Sequence, residues 1–141
     1  MSGTTLRALV AVVLFMHGIG HSMGVLPAVN LSSVEGWNSR SWLLTPILGE
    51  TVSRILSIIL FSIALIGFLA STLALLGWVV PHDWWRPLAV VSSVISIVTI
   101  VLFWNAFVTF FPNKVGALGV DIAVLVCLLA LNWPTEAMLG Y

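Results

Sequence analysis

Four long stretches almost empty of charge set the terms for this chain. They run from about Leu6 to Leu26, Thr51 to Val80, Leu88 to Phe111 and Val115 to Leu131. A proline follows each one (Pro27, Pro81, Pro112 and Pro134), where a helix is expected to stop. A helix needs ~20 mostly apolar residues to cross the hydrocarbon layer of a bilayer. None of the stretches alternates with the period of two that a half-buried strand requires. Of the 141 residues only 7% are charged and 60% are hydrophobic. Soluble domains carry roughly 25% charged residues, so this chain cannot coat a water-facing surface with polar groups. The sequence therefore predicts an all-α, four-transmembrane-helix bundle, a single integral membrane domain over residues 1–141 with the lipid bilayer as its solvent. The formal net charge is zero, so nothing in the charge balance points to nucleic acid. The one cysteine, Cys127, excludes an internal disulfide and any CxxC site. It is read as a small packed hydrophobe.

Four spans place the N-terminus, the "PHDWWRP" connection and the C-terminal segment on one side, here side A. The long first connection and the "PNK" turn fall on side B. Trp78, Trp84, Trp85 and Trp133 read as an interfacial belt on side A, with Trp37 and Trp42 on side B. Arg7 and Arg86 lie toward A and Arg40, Arg54 and Lys114 toward B, a balance that leaves the orientation open. The connection from about Ala28 to Gly49 is long enough to be a lid over the side-B end or a passive interfacial linker.

The stretch "FMHGIGHSMG", Phe15 to Gly24, puts two histidines four residues apart inside the first span. Ionisable groups within a membrane are costly and face the bundle interior. At a rise of ~1.5 Å per residue, His21 lies ~8 Å and His17 ~13 Å from the side-B end of that span. Asp121 in the fourth span and Asn105 in the third lie at comparable depths from side B, and Glu50 and Arg54 stand at the side-B start of the second. His17, Gly20, His21 and Gly24 share one helical arc. Gly20 and Gly24 form a G-x-x-x-G that lets another helix come close. The expected site thus gathers His17, His21, Asp121, Asn105, Glu50 and Arg54 in one half of the bilayer. Ser92, Ser96 and Thr99 share a face opposite Asn105 and are expected to bond to carbonyls one turn back.

Several readings of these residues stay open. His17 and His21 could ligate one metal ion, with Asp121 and Glu50 completing the set, since i,i+4 histidines recur in helical zinc sites. They could equally form hydrogen bonds that bridge helices. Asp121 beside a histidine suits a proton relay or a packing contact. Glu50 and Arg54 are spaced as a local i,i+4 ion pair.

The first span resembles that of the DoxX-like family of small four-helix membrane proteins. The likeness rests on Arg7, an apolar run, His17-Gly18 ten residues later, and Gly24. Where the family commonly has a lysine four residues after the histidine, this chain has His21. The resemblance implies a prokaryotic cytoplasmic membrane and a link to quinones or respiratory redox chemistry. The expected function is then binding of a small lipophilic, quinone-like ligand at the His/Asp/Asn site. The chain encodes no electron carrier, so turnover would need a partner subunit. The alternatives are a non-catalytic accessory subunit of a larger membrane complex, or a homo-oligomer, and a metal-binding membrane protein.

Overall fold

The computed structural model describes residues 2–33, 35–107, 111 and 113–141. Among them the chain is all-helical, with no strand. Helix α1 spans Gly3–Gly20 and α2 Ser22–Val25; α3 spans Leu44–Leu75, α4 Trp85–Leu102, α5 Val115–Leu125 and α6 Glu136–Leu139. A π-helical turn, Val126–Ala130, extends α5. Three helical stretches are long and apolar enough to cross a membrane: Gly3–Val25, Leu44–Leu75 and His82–Leu102. The fourth, Val115–Ala130, is apolar but shorter.

Two boundaries differ from the expectation. The second helix begins at Leu44 rather than near Thr51 because Gly49, at φ 82° and ψ 170°, kinks the chain without ending the run. A side chain there would be strained, so glycine marks the bend. The third helix stops at Leu102, well short of Phe111. Phe103 turns the chain and Trp104–Ala106 forms a 3₁₀ turn. The rest of that expected span, 108–110 and Pro112, lies outside the described residues.

The helices pack in succession round a bundle: α1 lies along α3, α3 along α4 and α4 along α5, and α5 returns to within side-chain reach of α1 although the two backbones barely touch. Two apolar clusters fill the bundle. The one toward side A joins Leu6, Leu14, Phe68, Leu75, Trp85 and Leu139. The one toward side B joins Phe61, Phe103, Ala106 and Phe107. Glycines decide how close α1 and α2 come to α3. A Cβ at Gly24 would stand 2.5 Å from Phe61 Cγ, whereas one at Gly20 would meet nothing. The G-x-x-x-G expectation is therefore corrected: Gly24 seats on α3 and Gly20 opens onto free space.

At side A the C-terminal segment is clasped to the bundle. Trp85 is not a belt residue but 1% exposed, and its indole Nε1 donates to Glu136 Oε1 at 3.2 Å. His82 contacts Glu136 Oε2 through Nε2 at 2.8 Å and the Ala74 carbonyl through Nδ1 at 3.1 Å. Arg86 approaches Glu136 Oε1 at 3.5 Å and donates to Asn132 Oδ1 at 2.9 Å. Tyr141 donates its hydroxyl to the Leu75 carbonyl at 2.9 Å and lies under the Arg7 guanidinium, 4.7 Å from the ring centre. Burial pushes the Glu136 carboxyl up. The hydrogen bonds from His82 and Trp85, with the charges of His82 and Arg86, outweigh it and hold the group below the ordinary carboxylate range.

Substituting Gly24→Ala should destabilise the protein by about 1–3 kcal/mol through overpacking, whereas Gly20→Ala should not; denaturant unfolding in micelles measures both. Because Glu136 has a depressed folded-state pKa, its stabilisation is complete above the unfolded carboxylate pKa and is lost as pH falls through the lower folded value. Acid titration of amide-exchange protection in α6 should show that loss, and Glu136→Gln should remove this step from the profile.

Candidate functional site

His21 sits at the joint between α1, which ends at Gly20, and α2, which starts at Ser22; its backbone stays right-handed helical and its N–H bonds to the Gly18 carbonyl at 3.0 Å. Its ring packs among the aromatic side chains of α3. It stacks on Phe68 at 5.8 Å with 2° between the planes, and leans on Phe61 at 6.0 Å. The His17 ring meets it edge-on at 5.1 Å. Phe61 and Phe68 are two helical turns apart on α3, so they present one face and form a pair of walls.

His17 reaches from α1 to α5. Its Nε2 lies 2.8 Å from Asp121 Oδ1 on α5. Ser96 on α4 donates its hydroxyl to the other carboxylate oxygen, Oδ2, at 2.5 Å. Asp121 is fully buried, and its two oxygens bind two different helices. Such bonds are what allow a carboxylate to be buried at all.

His21 has no such partner. The residue is 5% exposed and its Nε2 has no hydrogen bond. Unpaired buried polar atoms are rare and costly, by about 1–3 kcal/mol. This ring lines a cavity of about 410 Å³ together with His17, Gly20, Phe61 and Phe107. From α5 the wall is Gly116, Ala117 and Val120, with Met16 from α1, Met23 from α2 and the polar Asn113 just ahead of α5. Among the described residues no arginine or lysine lines it.

Of the six residues expected to converge, three do: His17, His21 and Asp121. Asn105 does not. It is exposed in the 3₁₀ turn that replaces the last part of the expected third span, and its carbonyl accepts from Asn38 Nδ2 at 3.3 Å. Glu50 and Arg54 do not form the local pair. Glu50 pairs with Arg40, and Arg54 donates Nε–H to the Ala28 carbonyl at 2.6 Å. The kink at Gly49 and the folded first connection offer each a nearer partner. Both line a separate cleft of about 280 Å³ at side B with Trp37 and Asn38. The first connection does approach the cavity wall, since Trp37 packs on Phe107 at 4.8 Å and on Phe61 at 5.9 Å.

The sequence reading missed Ser96, which was expected to bond within its own helix as Thr99 does to Ile95. Only the antiparallel pairing of α4 with α5 brings it to Asp121. The four-ligand metal set is likewise corrected, because Glu50 sits in the other cleft. Among the described residues no group of three or more His, Cys, Asp or Glu side chains is placed to hold a metal ion. Neither family models, curated proteins nor solved structures match this chain.

Removing the carboxylate with Asp121→Ala should cost about 3–5 kcal/mol, the scale for leaving a buried partner unpaired. The double variant with His17→Ala should cost clearly less than the sum of the singles. Unfolding in micelles across that four-protein cycle measures the coupling.

Proposed function

We propose that this protein is a four-helix, multi-pass integral membrane protein that binds a small lipophilic, quinone-like ligand in the cavity beside His21. The observation that carries this reading is the unpartnered Nε2 of a 95%-buried histidine facing an apolar-walled cavity. A buried donor or acceptor without a partner is explained if the partner is a bound molecule. Two phenylalanines and two methionines supply flat, polarisable walls of the kind that hold a ring. Small-molecule sites combine such walls with one or two placed polar groups.

In this reading His21 Nε2 holds the polar substituent of the ligand. His17, held by Asp121, which Ser96 holds in turn, stands one ring away as a second imidazole beside the ligand. Any redox step draws its electrons from a partner protein, in keeping with the respiratory link and prokaryotic cytoplasmic membrane that the DoxX-like resemblance implies. The aliphatic outer faces of the helices, with Val12, Ile55 and Ile66 all at least half exposed, support lipid surroundings.

The test is binding of dimethylnaphthoquinone to protein in lipid nanodiscs, followed by quenching of tryptophan fluorescence. His21→Phe keeps the stack on Phe68 and removes the nitrogen. The expected result is saturable binding by the native protein, weakened about tenfold or more in the variant, the worth of one buried hydrogen bond. Equal binding by the two proteins overturns the reading and favours an accessory subunit without a ligand.

A further inference from the structure

The cavity at His21 does not stand alone on its face of the molecule. A second hollow of about 410 Å³ lies directly beyond it toward side A, between the same two helices. Its walls are Leu6, Val10 and Val13 of α1 and Ala123, Val124 and Leu128 of α5. Val120 lines both hollows. Together they form one seam, created because α1 and α5 barely touch. The seam has a polar end at His17 and His21 and an apolar end that reaches Leu6. From the level of His21 to that of Leu6 is ~22 Å along the helix.

We propose that the ligand is an amphiphile with a neutral ring head and a single apolar chain, the head at His21 and the chain laid along the α1–α5 seam toward side A. This rests on the reading of the His21 cavity as a ligand site and adds the shape and orientation of the ligand. The chemistry follows from the walls. Among the described residues the head cavity has no arginine or lysine on its wall. A phosphate or other charged head would be left unpaired there, at a cost of several kcal/mol. A neutral head takes the hydrogen bond that His21 Nε2 lacks, with His17 and Asn113 the other polar residues on the wall. The apolar hollow offers no polar partner to a second head and adjoins the first, Val120 lining both. It therefore suits the remainder of the same molecule. Both hollows open laterally between two helices, so the ligand enters from the membrane.

The probes are dimethylnaphthoquinone, the ring alone, and phylloquinone, which carries the same ring with one methyl replaced by a phytyl chain. Affinities are compared for native protein, Ala123→Trp and His21→Phe in nanodiscs of one lipid composition. Ala123 is exposed on α5 and lines only the apolar hollow, so tryptophan there fills the seam from outside the packed core. The expected result is that Ala123→Trp weakens phylloquinone about tenfold while ring-only binding is unchanged, and that His21→Phe weakens both. Comparing one probe across variants cancels its partitioning into lipid. Undiminished phylloquinone binding in Ala123→Trp overturns the seam assignment and leaves the head site standing. Failure of native protein to bind either probe overturns both. A native dimer that Ala123→Trp converts to monomer also overturns the proposal, because the seam would then hold a second copy of the chain.

Discussion

Taking a carboxylate out of water costs several kcal/mol, and Asp121 is entirely out of contact with solvent. The structure meets that cost by giving its two oxygens a histidine from one helix and a serine from another. These bonds do more than satisfy a buried charge. α1 packs on α3 and α5 on α4, and the two scarcely pack on each other, so the His17–Asp121 contact joins a pair of helices that little else holds together. The same contact fixes the height of α1 against α5 and therefore the shape of the hollows on either side. Ser96 ties that crossing to α4.

His21 gains its meaning from this arrangement. Two imidazoles one helical turn apart have opposite circumstances. One is bonded through Nε2 to a carboxylate, and the other is boxed between Phe61 and Phe68 with its Nε2 left over. A purely structural histidine pair would be expected to satisfy both rings. The asymmetry divides the roles: His17 holds the bundle edge together, and His21 faces the space that the edge encloses. Gly20, which has open space where a Cβ would stand, keeps that space clear.

How far the residues announce all this varies with the range of the interaction. Charge-poor runs ending at prolines were enough to expect helices and an apolar setting, because those signals are local. The inward turn of His17 and His21 toward Asp121 was also legible, since an ionisable group in such a run has few other places to go. Asn105 misled because depth was counted along a helix that in fact stops at Leu102. Nothing in "FWNAF" punctuates the chain as Gly or Pro would. Glu50 and Arg54 misled because i,i+4 spacing says nothing of competitors brought in by a folded connection, here Arg40 and the Ala28 carbonyl. Ser96 was invisible as a partner because a hydroxyl on a helix can always bond to its own backbone. Only the pairing of α4 with α5 makes it a donor to Asp121. Trp85 shows the same limit: an indole near a helix end reads as an interfacial anchor until a buried partner such as Glu136 is known.

Solid-state NMR of the full chain in lipid bilayers, with nitrogen-labelled histidine and carbon-labelled aspartate, tests the central claim most directly. The account predicts a strong dipolar contact from a His17 ring nitrogen to the Asp121 carboxyl carbon and none from His21. The His21 resonance alone should shift strongly when a neutral ring compound is added. A carboxyl contact at His21, or its absence at His17, would contradict the account.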